Sequence, residues 1–484
     1  MKGTIKMENK NNKLNFTRLI GIIIGSTIGS GIYTTAGDMA ASGAHSASML
    51  IGWLVCGIGM FGLMMCFYGL NNLRPELSNG IYSYAKEGFG DFVGFCSAWG
   101  YWFASIMANV SIILLVLASL GYFFPAFGQG NNLFAIICAS ILQWMITGLV
   151  IRGVREAALV NVITTICKLL PIALFLIVVV FFRHFHLSIF LQNFMGDGSV
   201  SFVDQLRGTN SATVWSFLGV ESVVVISGSA EKKSDVGKSA IVGFLSILVI
   251  YILVCVLSFG VMPAEEMATL ESPQLAGILA SVIGPVGSTL VTAGLIISLL
   301  GSMLSWSIIN AECAYEAAEA GAFFKAFARS NKKGAPQFSA IVCALIIQAT
   351  LIIILFNEST YTALYTMSIT MVMFPYAFST IYYAKLSFGK NPYRNADSLG
   401  RGISRVIAVV GVVYSFWMLY CSSWYLLLPA AILYAAGLLV YIPGRKEQER
   451  KIFDKSYEIA IAAGILLLAL LAVYFIANGT IVLV

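Results

Sequence analysis

Gly25-Ser26-Thr27-Ile28-Gly29-Ser30-Gly31-Ile32-Tyr33 interrupts an apolar run that begins near Leu19, where a membrane-spanning helix is expected. Three glycines and two serines in nine residues make a poor lipid-facing helix, because a glycine costs up to ~1 kcal/mol against alanine in a helix interior. In hydrocarbon an unpaired backbone amide or carbonyl costs several kcal/mol, so broken helix survives only where it is covered by protein or lines a cavity. Gly29-Ser30-Gly31 therefore has two readings. It frees backbone amides for an anionic group such as a carboxylate, or it lets the chain pack closely on a neighbouring helix of small residues.

Composition sets the class. The chain is 58% hydrophobic and 11% charged over 484 residues, with a mean hydropathy of +0.86. A soluble domain cannot hide that much apolar surface, so an all-α polytopic membrane protein is expected. Of nine cysteines, Cys56, Cys66, Cys138, Cys167, Cys255 and Cys343 fall in apolar runs, and no CxxC pair occurs. His45, His184 and His186 lie in loops. Neither a disulfide framework nor a metal site is indicated, and no cofactor is expected. A phosphate-binding GxxxxGK[ST] motif is absent, which argues against an ATP-driven pump in one chain. Partners are expected to be small solutes and the lipid bilayer, with a homodimer allowed and no nucleic acid.

Apolar runs occur at about 17–36, 48–70, 92–120, 132–151, 158–182, 211–228 and 238–261, then at about 285–311, 338–356, 361–384, 403–421, 424–442 and 458–482. These are about 13 transmembrane helices of the usual ~20-residue length. With the N-terminus cytoplasmic, all but three of the 29 Lys and Arg fall in inside loops. The exceptions are Arg183 and Arg207 outside and Lys168 within the fifth span. Such alternation obeys the positive-inside rule and predicts a multi-pass protein of a bacterial cell membrane. Trp53, Trp144 and Trp424 are read as interfacial anchors.

A second irregular span runs Thr213-Val214-Trp215-Ser216-Phe217-Leu218-Gly219-Val220-Glu221-Ser222. It sets a carboxylate at membrane depth, where an ionisable group is a functional candidate by default. Glu221 there can take and release a proton, or serve as a hydrogen-bond acceptor between helices. The two broken spans are the first and the sixth. Glycine-interrupted segments at matching places in two halves point to a 5+5 inverted repeat, with the central site at the breaks. The expected division is a cytoplasmic tail 1–16, a first repeat 17–182, a second repeat 211–384 and accessory spans 403–484.

These residues carry a resemblance. GSTIGSGIY, WSFLGVES with Glu231-Lys232-Lys233-Ser234-Asp235-Val236-Gly237 after it, and Ser305-Trp306 with Ala311-Glu312-Cys313 resemble the amino acid/polyamine antiporters of the amino acid–polyamine–organocation superfamily. Arg74-Pro75-Glu76-Leu77, Ala98-Trp99-Gly100-Tyr101-Trp102 and Gly121-Tyr122-Phe123-Phe124-Pro125 fit the bacterial arginine/ornithine group within it. The similarity covers about Leu19 to Tyr441 and implies a LeuT-like fold with a central substrate. It implies that Ser30, Gly31 and Ile32 hold the substrate carboxylate and that Trp215, beside Ser216, gates the site. Trp306 would line a wall, and Trp102, Ser105 and Ala108 would face the pocket from the third span. Ser105 and Ala108 depart from the Asn and Met of arginine/agmatine exchangers. Glu221 would sense or couple protons, and Lys168, just before Pro171, would stand where a sodium ion sits in other relatives.

The residue chemistry agrees with a cationic solute. Aromatic rings attract ammonium or guanidinium by ~0.5–2 kcal/mol, which suits Trp215, Trp306 and Tyr365. The expected function is a secondary antiporter exchanging an amino acid for a related amino acid or amine, arginine/ornithine first. Histidine/histamine or lysine/cadaverine exchange and proton-coupled uptake are the alternatives within transport. An enzyme would need a nucleophile–base pair or metal cluster at membrane depth, and the His and Cys positions supply neither. A nutrient sensor would need a sizeable soluble region, and the longest loops are about 25 residues.

Overall fold

The glycine-rich stretch does break its helix. In the computed structural model, α1 (Phe16–Thr27) stops, residues 28–30 are non-helical, Gly31–Tyr33 forms a 3-10 turn, and α2 (Thr35–Ala41) follows. The first span therefore runs on to Ala41 rather than ending at 36, and Asp38 lies inside it. The structure describes residues 15–77, 80–153, 157–219, 233–357, 360–389 and 399–481.

The chain continues through α3 (Ser46–Leu73), α4 (Gly80–Phe89), α5 (Asp91–Gly121), α6 (Leu133–Ile151), α7 (Ala157–Phe181), α8 (Leu187–Leu191) and α9 (Phe202–Phe217). After these come α10 (Lys233–Val261), α11 (Ala264–Met267), α12 (Gln274–Ile283), α13 (Pro285–Glu319), α14 (Gln337–Asn357) and α15 (Tyr361–Phe388). Last are α16 (Arg401–Cys421), α17 (Trp424–Glu447) and α18 (Ser456–Ala477). No strand occurs among the described residues. The protein is an all-α polytopic membrane protein.

Among the described residues, 10 helices are long and apolar enough to cross a membrane. The remaining expected spans are the first, fifth and sixth. The first is split at residues 28–30, and the apolar stretch of α7 is the shorter Ile166–Phe181. The sixth begins earlier than expected, at Phe202, and leaves the helical conformation at Leu218, with ψ 127°. Gly219 follows at φ 98°, a left-handed conformation that glycine adopts without strain. Glu221 lies outside the described residues.

The helix α5 is buried along nearly its whole length, packed by α4, α13 and α15. Its side chains are apolar on every face because other helices, not lipid, surround it. At the periphery α18 packs on α17 and leaves most of its surface bare, as a lipid-facing helix does. Trp144 and Trp424 are likewise exposed. Trp53 corrects the expectation: it is fully buried, with its ring 5.4 Å from Tyr251 and 6.4 Å from Phe217. The break at Phe217 turns that ring toward α3, a contact invisible in sequence.

Several charges expected in inside loops gather around α4 and the start of α5. Arg74 pairs with Glu76 and Glu87 and donates to the Tyr382 hydroxyl at 2.6 Å. Arg445 donates to Asp91 at 2.6 Å and Asp454 at 2.7 Å, and Lys86 joins Asp91 at 3.0 Å. Lys385 reaches the Gly88 carbonyl at 3.1 Å. Arg207, expected in an outside loop, pairs with Asp204 and lies over the Tyr420 ring.

Candidate functional site

The site forms where both broken spans meet α15. Ending α1 early leaves carbonyls of its last turn without intrahelical partners. One of them, Gly25 O, accepts a hydrogen bond from Lys168 Nζ at 2.8 Å, while the Tyr33 hydroxyl donates to the Lys168 carbonyl. A buried ammonium at a helix C-terminus is favourably placed against the helix dipole. Lys168 thus joins α7 to both sides of the break.

On the other side, Trp215 lies directly on the break. Its Cδ1 sits 3.0 Å from where a Cβ on Gly31 would be, so any larger residue there would push the indole back by a few tenths of an ångström. The Trp215 indole stacks on Tyr365 at 5.2 Å and 22°, and its Nε1 donates to the Tyr361 hydroxyl at 2.7 Å. Tyr361 in turn donates to Ser30 Oγ at 3.2 Å. The 3-10 turn is held from below: Thr35 Oγ1 donates to Gly31 O at 2.6 Å and lies 3.1 Å from Ser216 Oγ. Ser30, Gly31, Ile32, Trp215, Ser216 and Tyr365 are all buried.

The residues expected on α5 are arranged differently. Trp102 is buried in a second aromatic cluster with Trp99, Phe103, Phe323 and Phe327, and donates to the Asn310 carbonyl at 3.0 Å. The ring contacts of Trp102 are thus with this cluster rather than with Trp215. Ser105 donates to the Trp102 carbonyl at 2.7 Å, a local bond within α5. Ala108 is buried, and Trp306 is half-buried on α13.

Four residues were missed. Asn109 lies one helical turn beyond Ser105 on the same face. It is a buried amide that donates to Ser307 Oγ at 3.0 Å. Tyr251 places its hydroxyl 3.5 Å from the position of a Gly31 Cβ. Tyr361 links Trp215 to Ser30. Asp38 accepts from Tyr365 at 3.1 Å and from Gln274 Nε2 at 3.2 Å. The rule that singled out Glu221 would have found Asp38, had the first span not been ended two residues before it.

Two helix breaks, an aromatic cover and a buried lysine thus lie in one place. Among the described residues no group of His, Cys, Asp and Glu could hold a metal ion. The family profile described as amino acid permease matches residues 14–431. An arginine/ornithine antiporter of Pseudomonas aeruginosa is 37% identical over 481 residues, 98% of this chain and 99% of that one. An arginine/agmatine antiporter of Chlamydia pneumoniae is 37% identical over 474 residues, 96% of each chain. Another, from Chlamydia trachomatis serovar D, is 36% identical over 483 residues, 98% of this chain and 99% of that one. A match this long takes in both broken spans and every helix between them: the chain belongs to the amino acid permease family and is a membrane transporter, not an enzyme.

Proposed function

We propose that this protein is a secondary antiporter that exchanges arginine or a similar cationic amino acid for a related amino acid or its amine product. The observation that carries this reading is the Trp215–Tyr361–Tyr365 cover over the broken helix at Ser30–Gly31. Backbone freed at the break suits a carboxylate, and the aromatic faces suit an ammonium or guanidinium. Full-length similarity to antiporters named for arginine with ornithine or agmatine supports the substrate class.

In this reading Ser30, Gly31 and Ile32 receive the carboxylate, and Trp215 with Ser216 and Tyr365 closes over the substrate. Trp306, Ser105 and Ala108 contribute to the wall, and Trp102 acts from the neighbouring cluster. Lys168 supplies a fixed positive charge at the end of α1, in place of a bound cation. Glu221 handles the proton. The breaks of α1 and α9 support the two repeats, 17–182 and 211–384, and 403–484 is accessory. The protein sits in a bacterial cell membrane with its N-terminus cytoplasmic, and lipid or a second copy of the chain covers α18.

Counterflow in proteoliposomes tests the exchange. External arginine or ornithine should speed efflux of preloaded arginine several-fold, because a loaded carrier reorients more readily than an empty one. Efflux indifferent to external amino acid but steeply driven by a proton gradient would establish proton-coupled uptake instead.

A further inference from the structure

Asp38 brings a carboxylate into the protein interior, where its residue is only 7% exposed. Its hydrogen-bond partners among the described residues are neutral. Oδ2 accepts from the Tyr365 hydroxyl at 3.1 Å, and Oδ1 accepts from Gln274 Nε2 at 3.2 Å. The Thr34 and Thr362 hydroxyls also face it. Among the described residues, no ion pair involves Asp38. A buried carboxylate with neutral partners alone is poorly compensated, and only a proton or a visiting cation balances it.

A second acceptor lies beside it. Gln274 is 6% exposed, and among the described residues its Oε1 has no hydrogen-bond partner while its Nε2 is committed to Asp38. Two adjacent buried acceptors, one anionic, form a receptor for a donor-rich cation. The position is continuous with the central site: Ser30 bonds to Tyr361, Tyr361 to Trp215, Trp215 stacks on Tyr365, and Tyr365 bonds to Asp38. Gln274 approaches this closely because residue 37 is glycine. A Cβ at Gly37 would lie 2.2 Å from Gln274 Cγ.

We propose that Asp38, with Gln274 Oε1, is the contact for the ammonium or guanidinium end of the substrate as it passes the Trp215–Tyr365 stack, and that this contact makes the transporter prefer cationic to neutral amino acids. The inference rests on the arginine-type exchange reading. Discrimination arises because a neutral side chain of the same shape leaves the carboxylate without its counter-ion, and a site built around a buried polar partner rejects an analogue that fails to satisfy it.

The test compares arginine with citrulline, whose ureido group copies the guanidinium without its charge, by calorimetry on the purified full chain. The parent should bind arginine more tightly. In Asp38→Asn, which keeps the shape but removes the charge and turns one acceptor oxygen into a donor, the arginine/citrulline affinity ratio should fall at least tenfold, with citrulline changed less than threefold. Asp38→Glu should retain a preference for arginine. An unchanged ratio in Asp38→Asn, or equal loss of both ligands, would overturn the proposal and leave Asp38 a structural acceptor. If Asp38→Asn does not purify as folded protein, the parent is challenged with methylguanidinium and methylurea. Only the cation should compete with arginine, and competition by both or neither overturns the contact. A parent that binds neither arginine nor ornithine overturns the exchange reading itself. One that binds arginine and citrulline equally overturns only the role of Asp38.

Discussion

At the scale of single residues, Trp215 is the point where the two broken spans meet. Its ring stack with Tyr365 is worth ~0.5–1.5 kcal/mol beyond its buried area, and its hydrogen bond to Tyr361 adds about 1 kcal/mol. Trp215→Leu keeps apolar bulk but removes both, and with them the cation-attracting face. We expect monodisperse protein in detergent with exchange reduced at least tenfold. Normal exchange in this variant would remove Trp215 from the site. Glu221 offers a second test at this scale. If it carries the transported or sensed proton, Glu221→Gln preserves shape while holding the group neutral, and the pH dependence of exchange should flatten. A Gln variant with the parent's full pH profile would move the proton to another group, with Lys168 next to examine.

At the scale of elements, the contact between α2 and α12 is set by one missing side chain. Gly37→Ala would drive a methyl to 2.2 Å from Gln274 Cγ and 2.5 Å from its Cβ. Neither atom is the free end of a flexible chain, so α12 must move away from α2. Overpacking of this kind costs roughly 1–3 kcal/mol, and the thermal midpoint of the purified protein should drop by several degrees. Gly148→Ala is the internal control. It lies in the last turn of α6 with nothing within 4 Å of its new methyl, so it should be neutral or stabilise by up to ~0.5 kcal/mol. Equal effects from both changes would show that the approach of α12 to α2 is not tight.

At the scale of the whole molecule, Arg445 ties α17 and the segment before α18 to the start of α5. It is 3% exposed and holds Asp91 at the start of α5, Asp454 before α18 and the Lys451 carbonyl at 2.7 Å. Removing one partner of a buried pair is destabilising because the remaining charge stays buried. Asp454 is 45% exposed and Asp91 keeps Lys86, so screening reduces the loss. Arg445→Met should cost about 1–3 kcal/mol, read as a lower thermal midpoint, while arginine affinity at the distant site stays near the parent's. A large loss of affinity without loss of stability would mean that the accessory helices act on the site directly.

Hydropathy and charge alternation determined the class and the long helices, and local composition marked the two irregular spans, because each follows from residue type and the ~20-residue membrane thickness. Glycine at positions 25, 29 and 31 leaves both a break and close packing open, and the fold realises the break. The tertiary structure decided what meets at those breaks. The stacking of Trp215 on Tyr365, the 2.8 Å contact of Lys168 with Gly25 and the pairing of Asp38 with Gln274 join residues far apart in sequence. No periodicity encodes such distances. Trp53 and Trp102 show the same limit: a tryptophan in an apolar run reads alike whether it anchors at the interface, gates a site or fills the core. Only the neighbouring helices, packed around it by burial in a low-dielectric interior, select among the three.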